Sequence, residues 1–437
     1  MSSLLEVAVL VTCLAPVGLV IVLAVAAMLG NLLSERGVGV VTRLALITAL
    51  AAAATAAIAF TVGPATPRLL RYGTWFGAGD TVFHFDVVVD SMSLSFAGLS
   101  LLVCNVVAAF SVRYLHREPG FDRYFLQMSL FVVGITFVAL AGSVELLFVG
   151  WELIGISSAL LVGFFHERAA PVRNAMHVFA VYRLGDAAML SAAVLLHHWS
   201  GSGDLGALFS IGTIAPGLVD AHHVLVISLL LIVAVAAKSA LWPLSGWLPR
   251  AMEGPTPSSA VYYGALSIHA GCFLLLRAQP FIAGSTVAIA LVTAGGVITT
   301  AYGVIVGRVQ TDIKSAIAYA TLTQVGIIVV EIALGLRNLA MLHIAGHACF
   351  RLLQFLSAPN VLHDLHELDN RLDGRPARPT TEDTRPTGRT LYRLGLERGL
   401  ADPLLEWAVV RPFRRVAARL DALDRRLVGE RPRDGGP

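Results

Sequence analysis

The chain has 437 residues, 56% of them hydrophobic and only 14% charged, with a mean hydropathy of +0.74 and a formal net charge of +3. That balance excludes an ordinary soluble domain. Apolar stretches of 18 residues or more recur along it, the pattern of an all-α, polytopic helical membrane protein. No phosphate-binding glycine loop, dinucleotide fingerprint or nucleophile elbow is present, so neither an independent enzyme, a cofactor nor a nucleic-acid partner is expected.

The apolar pattern predicts about eleven spans, at 4–29, 39–62, 91–112, 123–142, 146–165, 174–197, 222–243, 257–277, 281–306, 314–335 and 338–358. The first lacks a basic leader region and a small-residue cleavage site, so it reads as a retained span. Between spans two and three, alternating Phe83, Phe85, Val87 and Val89 within 81–90 predict a short external hairpin strand. Cys13, Cys104, Cys272 and Cys349 each stand alone in an apolar run, a spacing that suits no metal site, cluster or disulfide framework.

Arginine and lysine gather in alternate loops: Arg36 and Arg43, then Arg113, Arg117 and Arg123, then Arg168 and Arg173, then Arg250, then Arg308 and Lys314. The opposite loops are poor in both, apart from Arg68 and Arg71 in the long loop at 64–90. The positive-inside rule places the N-terminus outside and the C-terminus in the cytoplasm, and an odd number of spans agrees. Residues 1–360 thus form the membrane domain. Residues 361–390, rich in Asp, Arg, Pro and Thr, read as a polar linker, and 391–437 as an amphipathic tail. In the tail, Phe413, Val416, Leu420, Leu423 and Leu427 fall on one stripe with arginines elsewhere. That pattern suits a membrane interface or a groove on a partner, with a helix closing on its own protein as the alternative.

Of the 32 basic residues only Lys238 and Lys314 are lysines. Arginine stays charged, whereas a buried lysine can release its proton. Lys238 ends an apolar run, and Pro243 follows one turn later, removing a backbone donor and crowding the Ser239 carbonyl. A helix broken beside an ionisable side chain is how membrane proteins build ion sites. Glu152 is a lone carboxylate deep in the fifth span, at a cost of roughly 2.5–3.5 kcal/mol. Arg183 and Asp186 share a face of the sixth span, as do His343, His347 and Arg351 in the eleventh, and His269 lies in the eighth. Such groups in successive spans form a proton relay when water joins them. Glu152 is expected to hold the proton of Lys238. Each group also has a structural reading, as an internal ion pair, a packed histidine or a snorkelling end.

Trp151-Glu152-Leu153-Ile154-Gly155, the segment from Lys238 through Trp247-Leu248-Pro249 to Ala260, and Gln310-Thr311-Asp312-Ile313-Lys314 with Gln324-Val325-Gly326 resemble the antiporter-like proton-translocating subunits of respiratory complex I and Mrp-type antiporters. The resemblance covers about residues 85–360. It implies that Glu152 is the family glutamate, Lys238 the broken-helix lysine, His343 and His347 the eleventh-span histidines, and Arg183 and Asp186 the sixth-span pair. Two positions depart from the pattern: Tyr263 stands where the family has a histidine, for which His269 is a substitute, and Arg351 where many members have a lysine. A second broken helix is also not expected, because the chain passes from the eleventh span into its polar tail. The shortened membrane part, residues 182–190 and the tail from Leu391 and Tyr392 to Arg411 and Phe413 resemble the membrane subunit of DAB-type inorganic carbon complexes. That implies a conducting subunit in a prokaryotic plasma (inner) membrane. It would couple proton flux to carbon dioxide or bicarbonate capture by a large, zinc-dependent, carbonic-anhydrase-like partner docked on the tail. The alternatives are a pumping subunit of a quinone oxidoreductase or Mrp antiporter, and an anchor that conducts nothing.

Overall fold

The computed structural model describes residues 2–30, 32–78, 81–200, 203–205, 220–310, 312–358, 392, 395 and 401–428. Among them are eleven helices long and apolar enough to cross a membrane. They are α1 (Ser2–Met28), α2 (Glu35–Val62), α3 (Ser91–Tyr114), α4 (Phe121–Leu140), α5 (Val144–Val162), α6 (Ala169–Ser200), α7 (Ala221–Lys238), α8 (Thr256–Ile282), α9 (Thr286–Gly307), α10 (Ile313–Ala333) and α11 (Arg337–Ser357). A tail helix α12 runs through Ala401–Leu405, a π-helical turn Glu406–Val410, and Arg411–Val428. Polar residues start many of the spans by accepting the unpaired N–H groups of the first turn: Ser34 from Gly37, Asp90 from Ser93, Ser143 from Leu146, Ser285 from Ala288 and Asp312 from Ser315.

In lipid, helices associate through close packing, because tails are as apolar as the side chains they meet. Gly134 of α4 and Gly150 of α5 face each other. A methyl group on Gly134 would stand 2.8 Å from the Gly150 carbonyl oxygen, so only glycine allows this crossing. α8 lies at the centre, its apolar stretch entirely buried within the protein.

One hairpin interrupts the helices. β1 (Arg68–Ala78) pairs antiparallel with β2 (Thr81–Val89), and Arg71 makes a two-pronged bond to Asp86 at 3.0 and 3.1 Å. It caps one face of the bundle, where Gly142 N–H donates to the Asp86 carbonyl. The sequence reading anticipated β2 and missed β1, whose arginines hide its alternation. Several span ends also differ from expectation, two of them around the site. α7 stops at Lys238 rather than 243, and α8 continues through Pro280 to Ile282. A proline so near a helix end forfeits one backbone bond only.

Candidate functional site

The site is built around the break after α7. Ser239 closes the helix, Ala240 turns left-handed at φ 54°, and Leu241 N–H reaches back to the Ala236 carbonyl. The helix therefore ends before Pro243, which lies in the following irregular segment. Neighbours satisfy the freed groups: Trp247 Nε1 donates to the Ala237 carbonyl at 2.9 Å, Trp242 N–H to Thr299 Oγ1 of α9 at 3.0 Å, and Ser239 Oγ to the Ile268 carbonyl of α8 at 2.7 Å. The last bond sets the lysine-bearing end of α7 beside the residue preceding His269.

Lys238 is 1% exposed. Its Nζ donates to the Trp151 carbonyl at 3.2 Å and lies 4.8 Å from the Trp151 ring centre and 4.4 Å from that of Tyr182. Two aromatic faces and one carbonyl solvate the ammonium. Asp186, Glu152 and Arg183 are the charges near enough to act on it. The expected Glu152–Lys238 ion pair is not formed. Glu152 meets Arg183 instead, at 2.7 Å, and the same Nη2 stands 2.6 Å from Asp186. The guanidinium of α6 thus bridges one carboxylate on its own helix and one on α5, which takes Glu152 away from the lysine. A methyl group on Gly155 would stand 3.3 Å from Lys238 Nζ and 3.5 Å from Arg183 Nη2, so the two cations are close neighbours over that glycine. Trp151 Nε1 lies toward Asp186 and the Tyr182 hydroxyl toward Ser267, contacts that fall short of aligned hydrogen bonds.

A second cluster lies where α8, α10 and α11 meet. His269 is fully buried and His347 6% exposed. His269 Nδ1 faces the Ala265 carbonyl at 2.6 Å, its Nε2 lies 2.9 Å from His347 Nδ1, and Arg351 Nε donates to His347 Nε2 at 3.0 Å. Hydrogen-bond chemistry orders this line. Arginine can only donate, so His347 Nε2 accepts; a carbonyl can only accept, so His269 Nδ1 carries its proton. His347 Nδ1–H then donates to His269 Nε2, and both rings are neutral. His343 bonds Glu331 at 2.9 Å through Nδ1 and the Gln324 amide oxygen at 3.0 Å through Nε2, so both of its nitrogens face acceptors.

The other expected residues fall elsewhere. Lys314 Nζ donates to Thr256 Oγ1 at 2.9 Å, at the start of α8, and is not brought to the histidines. Tyr263 packs on Trp247 and reaches the Ser158 carbonyl at 3.4 Å. In the tail, Leu391 lies outside the described residues, and Tyr392 and Arg411 are exposed. Phe413 packs on Phe179 of α6, while Asp402 pairs with Arg250 at 3.1 Å and Glu406 with His177 at 3.4 Å. The first half of α12 therefore closes on its own protein. Among the described residues no cluster of three or more His, Cys, Asp or Glu could hold a metal ion.

Residues 141–375 match the family described as "NADH:quinone oxidoreductase/Mrp antiporter, TM". The chain belongs to this family. Residues 75–125 also match the N-terminal part of complex I chain 5. The NADH:quinone oxidoreductase/Mrp antiporter relatives include NADH-ubiquinone oxidoreductase chain 5 of Podospora anserina, 33% identical over 344 residues, and that of Cryphonectria parasitica, 34% identical over 344. Each match covers 78% of this chain and 51% of the relative, so the chain spans about half the length of the curated relatives it matches. Two solved structures share the fold. The Mrp complex from Dietzia sp. DQ12-45-1b gives a TM-score of 0.66 at 23% identity, over 94% of this chain and 45% of that one. The membrane-bound sulfane sulfur reductase, an archaeal respiratory membrane complex, gives 0.70 at 18%, over 92% and 82%.

Within this family fold, the sequence reading missed Trp151 and Tyr182 as the solvating rings, and Glu331 with Gln324 as the partners of His343. Glu331 was findable. It interrupts the apolar run 327–333 as Glu152 interrupts its own. The aromatic pair had no such signal, since tryptophan and tyrosine are ordinary in a span.

Proposed function

We propose that this chain is a proton-conducting, antiporter-like subunit of a multisubunit membrane complex of the complex I/Mrp kind. The observation that carries the reading is Lys238, the one fully enclosed lysine, held by π faces beside a bridged Glu152–Arg183–Asp186 set. A proton leaving it passes toward the ordered pair His269–His347, with His343–Glu331 beside them. Lys314, at the loop end of α10, serves as an entry or exit group on the arginine-rich face. That face is the cytoplasmic one and the N-terminus lies outside, on the distribution of loop arginines. The test is proton flux in vesicles carrying the protein in its native assembly. Glu152→Gln and His347→Gln are each expected to lower it by roughly tenfold or more. Unchanged flux in both variants overturns the route through these residues, and flux no higher than in vesicles without the protein leaves a non-conducting anchor as the answer.

A second, finer reading is coupling to inorganic carbon uptake through a soluble zinc-binding, carbonic-anhydrase-like partner in a prokaryotic plasma membrane. Its support is the outer half of α12, where Val416, Leu420, Leu423 and Leu427 are 52–79% exposed on one stripe. Co-purification separates the two. A large zinc-binding subunit favours carbon uptake, and a set of redox or antiporter subunits favours the first reading.

A further inference from the structure

A cavity of about 280 Å³ opens between α9 and α10. Its lining runs from Gly307 and Arg308, at the loop end of α9, past Gly303 and Ala320 to Gln324 and Arg351. Gln324 lies about 16 Å along α10 from its first residue, at 1.5 Å per residue, so the cavity reaches from the arginine-rich face to mid-membrane depth. Its volume holds several waters at about 30 Å³ each. The two polar residues at its inner end are the ones that cap the histidines: Gln324 accepts from His343, and Arg351 donates to His347 Nε2.

We propose that this cavity is a proton port on the arginine-rich face, and that Arg351 is both its latch and its selectivity element. The proposal rests on the conducting role given above. While Arg351 Nε bonds His347 Nε2, that nitrogen cannot take a proton. When the guanidinium swings toward Gln354, its other hydrogen-bond partner, Nε2 is free to accept a proton relayed from the arginine-rich face through cavity water, which is left neutral. His347 is then an imidazolium, and its Nδ1 proton passes to His269 Nε2. His347 becomes neutral again with its proton on Nε2, His269 holds the added charge, and one proton has moved inward. A metal cation has no such route. It meets a guanidinium that stays charged at every accessible pH, in a low-dielectric cleft. Arginine here, where a removable proton is not on offer, thus excludes ions while sparing protons.

Three measurements test this. Solution or solid-state ¹⁵N spectra of His347, assigned by its loss in His347→Gln, are expected to show the proton on Nδ1; Arg351→Met is expected to leave it there, since His269 Nε2 still accepts it, and to shift the Nε2 signal as that nitrogen loses its arginine donor. A proton already on Nε2 in the unmodified protein overturns the latch. Ala320→Cys, in a Cys349→Ser background that removes the exposed cysteine, is expected to react with a charged, membrane-impermeant thiosulfonate. Reaction only with a lipophilic maleimide makes the cavity a lipid groove and overturns the port. Sodium flux through Arg351→Met is expected to rise about tenfold or more, and unchanged sodium flux overturns the selectivity role. The spectra and labelling need no conduction, so they separate failure of this proposal from failure of the conducting role itself.

Discussion

Replacing Lys238 by arginine and by methionine separates two roles that one deletion would confuse. The lysine gains two cation–π contacts, worth about 2 kcal/mol each when desolvated, and one charge-assisted hydrogen bond of about 1.5–3 kcal/mol. Against these stands an effective desolvation penalty of several kcal/mol for a buried ion. The terms nearly cancel. Methionine fills a similar volume and keeps sulfur–ring contacts of roughly 0.3–1.5 kcal/mol with Trp151 and Tyr182. Lys238→Met nonetheless leaves Glu152 and Asp186 against Arg183 alone, with one buried negative charge uncompensated, so it is expected to destabilise by about 3–5 kcal/mol, as read from thermal unfolding in detergent. Its proton flux is expected to fall by roughly tenfold or more. Lys238→Arg keeps the positive field but removes the dischargeable group, so it too is expected to lose flux. An arginine variant conducting at the original rate would falsify the argument, because the site would then need only a charge.

Three further outcomes are open to measurement. Burial works to raise the Asp90 carboxyl, but the Arg277 charge and hydrogen bonds from Arg277 and Ser93 outweigh it and hold the group below the usual carboxylate range. Its contribution to stability is full above the unfolded value of about 3.9 and is lost as pH falls through the lower folded value. Asp90→Asn is expected to flatten that acid loss and to cost about 3–5 kcal/mol at neutral pH, since Arg277 stays buried without its charge partner; melting temperatures from pH 3 to 7 check both. Gly155→Ala presses a methyl group between Lys238 and Arg183, with an expected cost of about 1 kcal/mol and a measurable drop in proton flux. His343→Ala and Glu331→Ala are expected to couple by about 1–3 kcal/mol in a double-mutant cycle of unfolding, whereas additivity would mean that the pair does not act as one unit.

The spans and the buried charges were legible because lipid makes both conspicuous. An apolar run of the right length has few alternatives, and Glu152, Lys238 or His347 inside one stands out against it. The pairing of those charges was not legible. Which carboxylate meets Lys238 depends on how α5, α6 and α7 are rotated about their axes, and no spacing along one helix records the rotation of another. Arg183 was expected to pair within α6 and does, but its reach across to Glu152 is a tertiary fact. The break was placed a turn late because Pro243 is the visible breaker, while the left-handed Ala240 carries no mark in the sequence. In the tail, the apolar stripe was read correctly as a stripe. That its first member, Phe413, is spent on Phe179 while the later ones stay exposed follows only from where α6 begins.

The bridged set around Lys238 has a consistent arithmetic. Glu152 and Asp186 bring two negative charges, Arg183 and protonated Lys238 two positive ones, so the resting site is neutral. Releasing the lysine's proton leaves one uncompensated negative charge in an enclosed, weakly polarisable pocket. Arginine cannot relieve the imbalance, since it does not let go of its proton, and the carboxylates of the set can do so only by taking a proton up. A second departure is thereby blocked until the first vacancy is refilled. On the conducting role proposed for it, the pocket passes charge one unit at a time, a metering property that comes from a sum of charges and needs no moving part.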